Sequence, residues 1–325
     1  MSRGAFTLVW LAGLTVLLAF ASLMVGRVAT PLSALFDPAN PATLIVLELR
    51  LPRTVLGLLV GGSLGMAGAA MQGFTRNPLA EPGVLGVSST AALGAVVMLY
   101  FGGTALSPWL LPAAAMAGAA IGVVVLLALA GSGATVTTFI LAGVVIQAIT
   151  GAGISLALSL APNPWAVGDI MNWLNGALAD RSVEEVMLAA PFILAGCALL
   201  ATLGRPIDAL TLGETGARSM GINLDRTRLV LAAGSALAVG AGVAVTGIIG
   251  FVGLVAPHLL RPLVGPRPSA LLLPSALAGA ALTLAADIAV RLIPSASEVR
   301  LGVAMAILGG PFFLWLLLSM RRRLA

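Results

Sequence analysis

The sequence predicts an all-α fold, a polytopic bundle of ten membrane-spanning helices, and three observations carry that reading. Of 325 residues, 59% are hydrophobic and 9% are charged, with a mean hydropathy of +1.09; so little polar surface cannot coat a water-soluble globule. The apolar residues gather in long runs, most of which reach the roughly 20 residues that cross about 30 Å of hydrocarbon at about 1.5 Å per residue. The runs are also continuous, where the strands of a membrane barrel would alternate. No linker or shift in composition divides them, so residues 1–325 form a single transmembrane domain in a lipid bilayer.

The first run, 5–26, ends near a small-x-small "AFA" at 19–21, but its length of about 22 exceeds the roughly 7–15 apolar residues of a signal-peptide core, so it is read as a span. The second, 54–73, carries Gly57, Gly61 and Gly65 at four-residue spacing with Gly68 following, a smooth strip that lets two membrane helices approach closely. "NPLAEPGVLG" (77–86) follows. Pro78 and Pro82 cannot extend a helix and Gly83 takes backbone angles that a branched residue cannot, which predicts a sharp turn on the cytoplasmic side between spans two and three. Runs at 84–102, 109–130 (with Gly118 and Gly122), 136–160 and 186–204 complete the first six spans.

The segment 205–228 is the longest polar loop. Leu210, Leu212, Ala217 and Met220 are apolar among its charges, and Gly213 and Gly221 offer helix breaks, a pattern that suits two short amphipathic helices lying against a partner. Runs at 229–249, 251–264, 270–293 and 301–318 follow. The stretch 251–264 is too short and too interrupted for a lipid-facing span and reads as a helix shielded by its neighbours. "RTVLGLLVGGSL" (53–64) faintly echoes "RTRLVLAAGSAL" (226–237) across opposite directions of entry, as inverted repeats in transporters do.

Ten spans return both termini to one side, and Arg321 to Arg323 place that side in the cytoplasm. The remaining charges agree. Arg3, Arg76, Arg205, Arg218, Arg226, Arg228, Arg261 and Arg267 join them inside, against Glu81, Asp208, Glu214 and Asp225. Arg27, Arg50, Arg53, Arg181, Arg291 and Arg300 lie outside with the other eight acids, so the two sides carry +7 and −2. The sequence pI of 11.1 therefore reflects topology and not a nucleic-acid surface.

Several function classes are excluded by composition. The chain has no Lys and so no P-loop, which needs one to reach the terminal phosphates of a nucleotide; any ATP is hydrolysed by another chain. One Cys (Cys197) and one His (His258) argue against a metal cage or an internal disulfide, and no HExxH-type constellation is present. His258, beside Pro257, reads as structural. An ion-coupled secondary transporter is the alternative class, but it needs an ionisable group at mid-membrane depth, and Asp287, which comes nearest, lies toward a span end. Candidates for lining a passage within the spans reduce to Gln72, Gln147 and Met71, and Met is more often a core filler than a ligand.

"LRLPRTVLGLLVGGSLGMAGAAMQGFTRNPLAEPGVLGVSS" (49–89), "LTLGETGARSMGI" (210–222), "GIIGFVGLVAPHLLRPLVG" (247–265) and "ADIAVRLIPSASEVRLGVAMAILGGPFFLWLLL" (286–318) resemble, in order, the FecCD-type permeases of iron-siderophore, haem and cobalamin ABC importers. The resemblance implies a type II importer architecture in a bacterial inner membrane: a homodimer, or a close heterodimer, of ten-helix subunits with two cytoplasmic ATP-binding cassette subunits and an external substrate-binding protein. It implies no cofactor in this chain, ATP and Mg being held by the ATPase partner, and a ferric siderophore as the first expectation for the cargo.

It further implies that 205–228 holds the coupling helices, with Gly213, Glu214, Ala217, Arg218 and Gly221 docking the ATPase subunit. Arg50, Arg53 and Arg291 match positions that receive carboxylates of the binding protein, as the planar fork of Arg is suited to do, although Arg291 also stands four residues from Asp287 and can pair with it on the helix. Thr137 and Thr138 match the cytoplasmic gate. Two departures stand out: Arg300 replaces the usual proline near "SEVRLG", and Ile248 replaces one in "GIIGFVG".

Overall fold

A computed structural model describes residues 3–26, 28, 31, 40, 42–294 and 298–324. Arg27, Asp37 and the side chains of Arg3 and Arg321 to Arg323, used in the charge count, lie outside the described residues. Besides three short 3-10 turns, thirteen helices are described: α1 (Arg3–Met24), α2 (Ala42–Thr75), α3 (Val87–Tyr100), α4 (Leu110–Ala130), α5 (Val136–Ser159), α6 (Pro164–Leu174), α7 (Val183–Ala201), α8 (Gly204–Ala209), α9 (Gly213–Ser219), α10 (Leu224–Thr246), α11 (Val252–Val264), α12 (Pro268–Leu292) and α13 (Leu301–Leu324). No strand occurs among the described residues. Eight helices are long and apolar enough to cross a membrane, while α3 and α11 are apolar but short. The chain is an integral membrane protein.

The glycine strip explains the centre. A Cβ on Gly61 or Gly65 would collide with the backbone of Gly279 or Ser275, and one on Gly279 would strike Gly61, so α2 and α12 pack backbone against backbone, as small-residue faces permit. Gly118 stands in the same relation to Thr90 where α4 meets α3. Buried residues make up 78% of the apolar window of α2 and 72% of that of α10, the helices holding the two echoing segments, against 22% for α1. The outer helices spend their apolar side chains on the bilayer, as a membrane bundle must.

The stretch 77–86 is not the surface turn that its prolines predict. Arg76 ends α2 in a left-handed conformation (φ 54°). Asn77 then caps a tight turn by accepting from the Leu79 N–H at 3.0 Å, and the chain climbs back into the bundle. The Gly83 carbonyl accepts from the Gln147 side-chain amide, and Gly86 packs on Ile146. These partners lie about ten residues into α5, on the order of 15 Å from its start. α3 therefore begins at mid-depth and is a half-span, not the full span expected over 84–102. α11 also begins at mid-depth, since Phe251 before it packs on Gly309, eight residues into α13. Irregular backbone survives at this depth because protein surrounds it.

Candidate functional site

With the 202–223 loop drawn at the lower end, that loop forms the two short helices expected, α8 and α9. Ile207, Leu210 and Ala217 are buried inward, whereas Leu212 (69% exposed) and Met220 (61%) point away with Arg218. Gly213 (φ 88°) and Gly221 (φ 79°) supply the left-handed breaks. At the second, the Ile222 N–H reaches the Ala217 carbonyl and the Gly221 N–H that of Arg218, the paired closure that satisfies the last carbonyls of a helix. The five residues matched to ATPase docking thus divide: Arg218 faces outward, Ala217 and the glycines shape the element, and Glu214 turns inward.

Glu214 accepts from the Val136 N–H at 3.0 Å, one residue before Thr137 and Thr138. The carboxylate sits at the N-terminus of α5, where the free N–H groups and the helix dipole favour an anion. Thr137 and Thr138 are exposed beside it, with Thr135 capping the helix through the Thr138 N–H at 3.2 Å. Asp208 repeats the arrangement at α12, accepting from the Ser269 N–H (2.9 Å), the Ser269 hydroxyl (2.6 Å) and Arg267 (2.7 Å). Burial opposes its charge, but the bonds from Ser269 and Arg267 outweigh burial and hold its carboxyl below the usual range. Asp225 accepts from the Gly133 N–H at 3.1 Å, in the loop before α5. Three carboxylates therefore tie the lower loops to the bases of membrane helices. Nothing local in the sequence marks these ties, since the partners lie 59 to 92 positions apart.

At the upper end Arg50, Arg53, Arg291 and Arg300 line an open hollow of 460 Å³ with Asp180 and Glu298. The first three are brought together, but their guanidinium groups are engaged internally. Arg50 donates to the carbonyls of Leu23 (2.9 Å), Met24 (2.6 Å) and Val28, and Arg291 to those of Ser22 (2.7 Å) and Val25 (3.1 Å). They satisfy the carbonyls that the end of α1 leaves open and suit its dipole. Asp287, fully buried, accepts from Arg53 Nε and Nη2 (3.0 and 2.7 Å) and from Arg291 Nε (2.9 Å), and Glu298 also pairs with Arg53. The ion pair that the 287/291 spacing allows does form.

Between the ends, Met71 and Gln72 are buried, at 1% and 3% exposure; the Gln147 amide is spent on Gly83. Sequence reasoning put Glu81 in a cytoplasmic turn. It lies instead at mid-depth, accepting from the Phe251 N–H at 2.6 Å ahead of α11. His258 packs edge-on to Phe312. The exposed face of α5 above Thr137 is free of charge: Leu141, Val144, Val145, Ile149 and Leu156. No cluster of His, Cys, Asp or Glu that could hold a metal ion occurs among the described residues.

Residues 14–319 match the family model described as the FecCD transport family. The chain is 41% identical over 320 residues to the vitamin B12 import system permease protein BtuC of Shigella boydii, covering 96% of each. It is 36% identical to the hemin transport system permease protein HmuU of Yersinia pestis, covering 95% of this chain and 94% of that one. Its fold superposes with TM-score 0.87 and 28% identity on a structure described as an inward-facing conformation of a metal-chelate type ABC transporter, over 96% of this chain and 98% of that one. With a family model matched over residues 14–319 and relatives matched over almost the whole chain, the chain belongs to the FecCD transport family.

Proposed function

We propose that this chain is the permease subunit of an ATP-driven importer that passes a metal chelate, haem or a corrinoid across a bacterial inner membrane. The agreement over almost the whole chain with permeases named for vitamin B12 and hemin carries the reading. α3 and α11 complete the eight long helices to ten membrane helices in a type II importer architecture, and the arginine balance sets both termini and the lower end in the cytoplasm. A second permease subunit, a copy of this chain, completes the pathway. Two ATPase subunits, which hold the ATP and Mg, dock on Leu212, Arg218 and Met220.

In this reading ATP-driven closure of the partners moves α8 and α9, and Glu214 carries that motion to the base of α5, where Thr137 and Thr138 gate the exit. A binding protein delivers the cargo at the upper hollow. There Arg50, Arg53 and Arg291 hold the surface in shape, and Arg300, which has no ion pair among the described residues, offers it a charge. The corrinoid and haem readings draw on named relatives, and the ferric siderophore stays in the test as the third cargo.

The test is uptake of labelled cobalamin, haem and ferric siderophore by cells with and without the gene, with vanadate and a protonophore applied separately. Vanadate-sensitive loss of one cargo in the deletion strain is expected. Uptake that a protonophore stops while ATP stays high would overturn the reading in favour of ion-coupled transport.

A further inference from the structure

A second cavity, of 200 Å³, opens at the lower end where α2 finishes and α11 gives way to α12. Gln72, Arg76, Thr211 and Arg261 supply its polar lining, and no carboxylate is among the residues around it. Arg261 Nη2 donates to Gln72 Oε1 at 2.9 Å, and Gln72 is itself buried. The glutamine steadies the arginine without neutralising it. The Arg261 Nε is buried with no hydrogen-bond partner, a donor left in wait for an acceptor. Neither Arg261 nor Arg76 has an ion pair among the described residues, and the acid of this region, Asp208, is committed to Arg267 and Ser269.

Arg76 closes α2 in the left-handed conformation (φ 54°) that commonly ends a helix, and its side chain lines the cavity. Two guanidinium groups with open donors and no acid suit a phosphate, which accepts from their forks. The space equals several water volumes of ~30 Å³, room for a phosphate and its ester arm. The rest of the lining is apolar and uncharged, with Ala69, Gly73, Pro266, Pro268 and Leu271 around the arginines.

We propose that Arg76 and Arg261 form a binding site for the phosphate of an anionic phospholipid, held where the lower loops meet the membrane helices. Basic pockets between membrane helices on the cytoplasmic side are suited to such headgroups. The site stands on side-chain geometry alone and is independent of which cargo the permease carries.

The test uses the purified full-length chain in detergent. Phosphatidylglycerol, phosphatidylcholine and inorganic phosphate are titrated separately, with adducts counted by native mass spectrometry and thermal unfolding followed in parallel. Phosphatidylglycerol is expected to bind and stabilise, phosphatidylcholine to do neither, and Arg76→Gln to weaken the phosphatidylglycerol adduct about ten-fold, the ratio that loss of one charge-assisted bond produces. Because Arg261→Gln also frees Gln72 and can disturb folding, Arg76→Gln is the deciding variant, and Arg205→Gln at the same end serves as the control.

Equal binding of the two lipids, or an Arg76→Gln variant that binds like the parent, would overturn the proposal. Saturation by inorganic phosphate with no further effect of lipid would reassign the site to a free anion and overturn the lipid source. Unchanged lipid binding in Arg76→Gln with loss of the ATPase subunit would assign the arginine to a protein carboxylate, and would also overturn it.

Discussion

Replacing Asp287 with Ala should be among the most damaging single substitutions in this chain, and the structure sets the scale. Its fully buried carboxylate is shared by two guanidinium groups whose side chains are 12% (Arg53) and 4% (Arg291) exposed. Removing it leaves two like charges side by side in a low-dielectric interior, Arg53 with only Glu298 and Arg291 with only the carbonyls at the end of α1 and the Ser22 hydroxyl. Breaking a buried pair from one side costs about 3–5 kcal/mol, because it strands the partner's charge. Asp287→Ala should fall in that range, and Asp287→Ala combined with Arg291→Ala should cost less than the two single losses added.

The assay is reversible unfolding of the purified protein in mixed micelles with increasing SDS, measured for both single variants and the double. A loss under about 1 kcal/mol for Asp287→Ala, the size seen for solvated surface pairs, would refute the argument that this cluster locks α1, α2 and α12 together. The experiment bears on docking as well: charge reversal at Arg53 or Arg291 would break the same cluster, so weakened binding of a partner by such variants would report damage to the fold.

The remaining predictions concern the ties and the packing. Glu214→Ala removes a charge-assisted bond to the base of α5, worth about 1–2 kcal/mol at its part-buried position; uptake should drop roughly 5- to 30-fold while the ATPase subunit still binds and hydrolyses ATP, and unchanged uptake per ATP would sink the coupling route. Arg300→Glu should lower affinity for the binding protein at low salt while stability stays within about 0.5 kcal/mol of the parent, as surface plasmon resonance and thermal unfolding would report. Gly65→Ala should destabilise by about 1–3 kcal/mol or more through overpacking of α2 on α12, read from the same SDS titration. For Asp208 the folded carboxyl lies below its ordinary value of 3.8. Its tie to α12 is therefore complete above pH ~4 and is lost as pH falls through the lower folded value; Asp208→Asn should remove that acid-side dependence, and an unchanged pH profile would count against it.

The amino-acid sequence by itself determined the bilayer, the helical class, the family, the glycine faces and the pair of short helices in the 205–228 loop. The family rests on four stretches in order along the chain, and the others follow from composition or from residues within a few turns of one another. Gly61 and Gly65 announce a close helix contact without naming Gly279, and Gly213 and Gly221 announce their breaks because only a residue without a Cβ turns there cheaply.

Only the tertiary structure decided where the charges go. In a chain that is 9% charged, a buried ion is stable only where another segment brings its counterpart. Those counterparts stand 234 positions away for Arg53 and Asp287, 170 for Glu81 and Phe251, and 78 for Glu214 and Val136. For that reason Arg50 and Arg291 prove to be caps on α1, and Glu81 lies inside the bundle when its prolines place it at the surface. Local pattern states that a charge exists, and the distant partner that satisfies it fixes which way it points.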